Sequence, residues 1–348
     1  MKLKIMTSCL MVSALLLVGC TKKDEVKQDP IKEDKVEQKV TTSVELKHIF
    51  PLTGVGTNEN VDQRAIAVMV NNHPKARPQS GLQKADIVYE ILAEGDVTRF
   101  LAVFQSEFPE RVGPVRSARD YYMELAKGLD SIYINHGHSP DAKALLDKGY
   151  VDALDGMEYD GILFKRDKER KAPHNSYISF EKIEKGAKDN GFKWDTPPKE
   201  FTFLSDKEIE TIQGASGTFT TINYGSPSFE IEYEYDATIG KYKRHSKNQQ
   251  TIDHDTNEPV LLDNIFIIEA SHKVKDTAGR RDIDLHSGGK AILLQKGKWN
   301  EIQWENREGI ITPVKDGKVV GLVPGKTWVN VIPSKPGLSK MVSIGDDL

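Results

Sequence analysis

The chain has 348 residues, 38% hydrophobic and 29% charged, with a formal charge of −4. That is a globular composition with length enough for two domains. The slightly acidic balance and the lack of a long basic face argue against nucleic acid as a partner, and two cysteines do not make a disulfide framework.

The chain opens on a targeting segment. Lys2 and Lys4 precede an apolar run over 5–18 that is too short for a comfortable membrane span. It ends in Leu17-Val18-Gly19-Cys20, a lipobox, in which a small residue precedes the cysteine that is cleaved and diacylated. A cleaved signal peptide with an incidental cysteine is the plain alternative. Charge, length, small residue and Cys20 all in register favour the lipobox. Residues 1–19 therefore read as a lipoprotein signal peptide. Cys20 reads as the lipidation site, carrying palmitate-like chains at the extracytoplasmic face of the cell membrane. Cleavage removes Lys2, Lys4 and no acid, taking the formal charge from −4 to −6. It also removes Cys9, so an acylated Cys20 leaves no thiol for disulfide or nucleophilic chemistry. Residues 20–45 lack aromatics and are rich in Lys, Asp, Glu and Gln, which predicts a disordered tether.

Folded structure is expected from 46. The apolar run 64–70 predicts a buried strand ending in Asn71-Asn72-His73-Pro74, followed by Arg77. Strands are expected over 86–92, starting at Asp86, and 99–105, starting at Arg99. A turn holding Pro109, Gly113 and Pro114 leads to Arg116-Ser-Ala-Arg-Asp120. Here Ser117 and Asp120 match a capping box before a helix that Gly128 stops. Arg116 and Arg119 would then flank a helix N-terminus, where backbone N–H groups favour an anion. The plain alternative is an Arg-rich turn paired to Glu107, Glu110 or Asp120. A fourth strand over 131–135 opens into Asn135-His136-Gly137-His138, and Ser139-Pro140 begins another helix. The basic run 165–171 reads as a solvated face. A helix is expected over 180–190.

Strand–helix alternation gives an α/β (or α+β) sandwich over 46–199. Beyond Pro197-Pro198 the pattern changes to strands and Gly turns. This predicts a β-rich domain over 200–335 and a tail over 336–348. His136 and His138 could share a metal, but no third ligand is evident. The acid pairs Asp86/Glu90 and Glu94/Asp96 could hold Mg²⁺, although solvated acids are commoner. No Walker loop, dinucleotide fingerprint or nucleophile elbow is present.

Several runs resemble the YerB family of bacterial lipoproteins. They are the segment 76–90, Glu94-Gly95, Thr98-Arg99-Phe100, Gly113-Pro-Val-Arg-Ser-Ala-Arg119, Tyr242-Lys243-Arg244 and Gly325-Lys326-Thr327-Trp328. The resemblance covers about 50–335 and implies two domains of unknown function. It implies no catalytic residue. The motif order of the first half is also similar to the LytR-CpsA-Psr phosphotransferases, which attach glycopolymers to peptidoglycan. Asn71-Asn72, Lys84-Ala85-Asp86, Arg119-Asp120 and Asn135-His136 stand at their motif positions. That likeness implies arginines on a polyprenyl pyrophosphate and aspartates on Mg²⁺. Asparagine in place of an acid, and Lys84 in place of an arginine, depart from it.

The sequence thus supports a membrane-tethered domain binding an anionic or phosphorylated envelope ligand, with no resident cofactor. Its rivals are a glycopolymer phosphotransferase using Mg²⁺ and a non-catalytic scaffold. The expected site is one cleft lined by Asn71, Asn72, Arg77, Asp86, Arg99, Arg116, Arg119, Asn135 and His136. It requires the first and fourth strands to be parallel neighbours, and Arg99 to begin an antiparallel strand.

Overall fold

The computed structural model describes residues 46–345. The lipobox, Cys20 and the expected tether lie outside the described residues. These described residues form one compact unit.

In the first half the strands are β1 (Ile66–Asn71), β2 (Ile87–Leu92), β3 (Thr98–Phe104), β4 (Ile132–Asn135), β5 (Ala153–Asp155), β6 (Phe164–Arg166) and β7 (Ser176–Ser179). The longer helices are α1 (Asp120–Gly128), α2 (Pro140–Asp147) and α3 (Phe180–Asp189). In the second half are β8 (Phe219–Asn223), β9 (Glu230–Asp236), β10 (Lys241–Ser246), β11 (Asn264–Val274), β12 (Gly289–Gln295), β13 (Lys298–Arg307), β14 (Ile310–Lys315), β15 (Thr327–Pro333) and β16 (Val342–Gly345).

The fold is β-rich, and the strand–helix alternation expected of the first half holds only in part. β1, β2 and β3 follow one another with no α-helix between, and β2–β3 is an antiparallel pair. Ten strands of a 13-stranded sheet stand in the order β14-β13-β12-β11-β15-β2-β3-β1-β4-β5, and three short strands complete it. β15 lies parallel to both β11 and β2, so one sheet runs through both halves of the chain. The last strand, β16, forms from residues expected to be a tail and pairs with β8 in a second, six-stranded sheet.

The two faces of the large sheet are apolar for the reason expected of central strands: every residue of β1, β2 and β3 is buried. Val68, Val70, Val88, Phe100 and Ala102 face the second sheet, packing with Ile222, Ile231, Tyr233 and Tyr242. Ala67, Met69, Tyr89, Leu101 and Val103 face α1 and its Tyr121, Tyr122 and Leu125. Each large side chain so buried contributes about 1.5–3 kcal/mol. β9 shows the period of two: Ile231 and Tyr233 are buried, while Glu230, Glu232 and Glu234 are half-buried or exposed.

β1 and β4 are parallel neighbours, and β3 runs antiparallel to β1 with Asn71 opposite Arg99. The carboxyl ends of β1 and β4 and the start of β3 therefore share one edge. The expected capping box does not form. The chain stays extended through Ala118, whose backbone bonds Gly137 and bridges His138, so α1 starts later with Arg119 at its N-cap. Ser117 Oγ donates instead to the His136 carbonyl, at 3.3 Å.

Candidate functional site

At the shared edge, the backbone of Arg116 ties two strand ends together. Its N–H donates to Met69 of β1, and its carbonyl accepts from the His136 N–H that follows β4. Its half-buried guanidinium has no hydrogen-bond or ion-pair partner among the described residues. Burial, and then the charge of Arg99, push it down to about 10.

Three histidines feel this charge. Asn71 Oδ1 accepts from the His73 N–H, which leaves its Nδ2 to donate to His174 Nδ1 at 2.8 Å. His73 Nδ1 accepts from the Lys75 N–H, and the His73 and His174 rings stack 4.6 Å apart. Both Nδ1 atoms are thus acceptors, so each neutral ring carries its proton on Nε2. His136 is fixed the other way. Arg166 can only donate, so His136 Nε2 accepts from it at 2.9 Å and Nδ1–H donates to Ser176 Oγ at 2.7 Å. In that tautomer His136 cannot take the proton of the buried Ser176 hydroxyl, so the pair is not a nucleophile with its base.

All three rings sit below the usual 6.5. For His73 the causes are burial, then Lys75, Arg77 and Arg116. For His174 they are burial, His73, Arg116, Lys75 and Arg170. For His136 they are burial and Arg166, partly opposed by Asp160 and Asp155, with Arg116 adding a smaller push down.

The other expected arginines are occupied. Arg99 and Arg119 both pair with Glu94, Arg99 at 2.7 Å, on the α1 side of the sheet. The carboxylate partner is Glu94 rather than Glu107, Glu110 or Asp120. Arg77 lies on the opposite face, donating to the Asn72 carbonyl, Asn72 Oδ1 and the Ser228 carbonyl. Asn72 turns the same way and donates to Thr98 and Glu90. Asn135 is fully buried and donates to the Gly137 carbonyl. The expected single cleft is therefore three groups: Asn71, Arg116 and His136 at the edge, Arg99 and Arg119 against α1, and Asn72 and Arg77 between the sheets. The basic run is not a solvated face throughout, because Arg170 clamps the carbonyls of Ala76 and Pro78.

Asp86 does not belong to this edge. It precedes β2, at the opposite end of the sheet, where its carboxyl accepts from the backbone N–H of Gln105 and Ser106 and from the Ser106 hydroxyl. Burial pushes it up to about 6, and those bonds offset the burial only in part. Its folded value lies above the unfolded 3.8. Its stabilising contribution is therefore full below that value and lost as pH rises through about 6. Asp86→Asn should remove this loss. Relative to wild type it should gain on the order of 2–3 kcal/mol between pH 4 and pH 7 in urea unfolding, and a pH-independent difference would reject that role.

Sequence reasoning missed the partners of these groups. Glu90 is completely buried, and its two oxygens collect Asn72, Thr98, Arg244 at 2.8 Å and Trp328 at 3.1 Å. His73 and His174 are 101 positions apart, and no local pattern joins them. Among the described residues no three His, Cys, Asp or Glu side chains cluster as a metal site. Glu90 and Glu94, two of the acids considered for Mg²⁺, are held by arginines.

These features define a class: a two-sheet, β-rich protein with an unpaired arginine and neutral histidines gathered at one sheet edge. The chain belongs to the YerB family. Profiles described as the N-terminal and C-terminal domains of a protein of unknown function (DUF3048) match residues 52–193 and 220–329. The YerB protein of Bacillus subtilis (strain 168), whose name marks it as a candidate lipoprotein, is 47% identical over 322 residues. The match spans 91% of this chain and 92% of that one. A crystal structure of the YerB protein from Bacillus subtilis superposes with a TM-score of 0.80 at 48% identity, covering 86% of this chain and 100% of the other.

Proposed function

We propose that this chain is a lipoprotein, tethered through Cys20 at the extracytoplasmic face of the membrane, that binds an anionic or phosphorylated envelope ligand at the edge around Arg116. The observation that carries the reading is the half-buried guanidinium of Arg116, which pairs with no carboxylate among the described residues and whose charge helps hold His73, His174 and His136 below 6.5. Arginine presents several donors in a fixed fork, suited to phosphate oxygens. The Nε2–H groups of His73 and His174 add neutral donors.

The anchoring half rests on the lipobox and on the name of the relative. Among the described residues no helix is long and apolar enough to cross a membrane. Two acyl chains, at roughly 0.8 kcal/mol per buried CH₂, hold a protein stably. Cys20→Ser should therefore release the protein into the medium or leave an uncleaved precursor. A mature-length Cys20→Ser chain that still fractionates with membranes would overturn the anchor.

The binding half is tested by isothermal titration with a short-chain prenyl pyrophosphate at low salt. Arg116→Ala should lose at least one charge-assisted contact, about 1.5–3 kcal/mol. Affinity should also fall with added salt. Equal affinity for wild type and variant, or no binding to wild type, rejects the site. The pH sign follows from the histidines. Their folded values lie below 6.5, so the stability they contribute is present above pH 6.5 and lost as pH falls through those lower values. A bound anion favours their charged forms. Sulfate, whose own charge is constant in this range, should bind more tightly at pH 5.5 than at pH 7.5.

The scaffold reading is favoured for two residues. Arg99 and Arg119 share Glu94 and also donate to the Ser117 and Ala118 carbonyls, so both guanidinium groups are already engaged within the fold. A transfer reaction gains no support from the edge, because the Asn71 and Asn72 amides are committed to His174, Glu90 and Thr98.

A further inference from the structure

A different set of cations lies between the two sheets. A cavity of about 210 Å³ is lined by Arg77, Gln79, Arg244, Ser246, Gln249 and Thr251, among others. Arg244 and Ser246 are 1% and 4% exposed. Three donors on these residues have no partner among the described residues: Arg77 Nη2, Arg244 Nε and Ser246 Oγ. Their neighbours are engaged elsewhere. Gln79 Nε2 donates to the Asn71 carbonyl and Asn72 Oδ1, and Thr251 Oγ1 accepts from Arg244 Nη1.

The charges do not cancel here. Two guanidinium groups face one carboxylate, Glu90, whose oxygens already take four donors. The rest of the Arg244 guanidinium is covered by the rings of Trp328 and Phe100, at 4.6 and 5.3 Å. Burying a surplus cation without a counter-charge is costly. Guanidinium nitrogens only donate, so what completes them must accept.

We propose that this cavity is a second oxyanion site, taking a small carboxylate or phosphate group on the free donors of Arg77, Arg244 and Ser246. Exposed Gln249 and Gln250, after the turn at Lys247 and Asn248, stand on its solvent side. The site is separate from the Arg116 edge and does not rest on it. Its occupant reaches Arg244, which bonds Glu90 across the two sheets, so occupancy should also stabilise the fold.

The test uses the full chain in detergent, carrying Arg116→Ala so that the edge contributes no binding. Sodium phosphate, glycerol phosphate and sodium acetate are titrated at constant ionic strength made up with chloride, by calorimetry and by thermal unfolding. Saturable one-to-one binding of at least one of them, with a rise in Tm, is expected. Adding Arg77→Gln should weaken it at least tenfold, and adding Ser246→Ala several-fold. Should Arg77→Gln fail to fold, Ser246→Ala decides alone. The phosphate, ester and acetate arms separate a free anion from a terminal phosphoryl group and from a carboxylate. No saturable binding of any of the three, or affinity unchanged by Ser246→Ala, overturns the site. A signal present in wild type and absent from the Arg116→Ala chain belongs to the edge and equally overturns it.

Discussion

Arg244→Met is expected to lower the free energy of unfolding by about 3–5 kcal/mol, measured in urea or guanidinium. Arg244 and Glu90 are buried to 1% and 0% exposure and meet at 2.8 Å. Arg244 stands on β10 of the second sheet and Glu90 on β2 of the large one, so the pair fastens one layer to the other. Burial alone pulls the Arg244 guanidinium down, but the charge of Glu90, the nearby Tyr233 and the bond to Glu90 outweigh it and raise the group. Deleting the cation strands a carboxylate in an apolar layer, with only Asn72, Thr98 and Trp328 to satisfy it. The double change Glu90→Met with Arg244→Met should cost less than the single one, because it removes the completely buried carboxylate together with its cation. A loss under 1 kcal/mol for Arg244→Met would show that water reaches this pair.

Trp328→Ala should cost a similar 3–5 kcal/mol. The side chain is fully buried, meets Phe100 edge-on at 5.1 Å and donates to Glu90 from Nε1. It sits on β15, the strand that joins β11 to β2 and so carries the sheet from one half of the chain to the other. Because the hydrogen-bonded ladder is continuous there, the two halves should unfold in one transition, in wild type and variant alike. Trp328 also lies on the Arg244 guanidinium, so the two substitutions should not add. The coupling in a double-mutant cycle should be 0.5–3 kcal/mol. Two resolved transitions in wild type, or strict additivity, would contradict this picture of the seam.

The motifs that carry the family resemblance meet at this seam. Glu90 ends one of them, Thr98 and Phe100 lie in another, Arg244 closes a third and Trp328 a fourth. The sequence shows each run but not that all converge on one carboxylate, because the contacts span up to 238 positions. Local patterns were more legible. The buried strands β1, β2 and β3, the Ser139-Pro140 start of α2 and the alternation in β9 follow from apolar period, capping and turn residues. The parallel pairing of β1 with β4 and the antiparallel run of β3 also follow the expectation that brought Arg99 to the edge. The limits have physical causes. Ser117 satisfies a capping pattern, yet extended pairing of Ala118 with the 137–138 segment outcompetes it. Asp86 precedes a strand as expected, but β2 runs in the same direction as β1, so its start lies at the end away from Asn71. Which arginine stays unpaired depends on where Glu94 and Glu90 fold, and no spacing reveals that. Arg116 differs from Arg99 and Arg119 only in the partners that the folded chain brings.

The central claim is that an oxyanion docks beside Arg116. Crystals of the protein soaked in sodium tungstate at low salt, with diffraction recorded at a tungsten absorption edge, test it most directly. The account predicts an anomalous peak within about 3–4 Å of the Arg116 guanidinium nitrogens, the range of a charge-assisted hydrogen bond to a heavy oxyanion. The same peak should lie within reach of the Nε2 atoms of His73 or His174 and vanish in crystals of Arg116→Ala. Strong peaks elsewhere on the molecule with none at this edge would contradict the account and leave Arg116 as one more structural arginine.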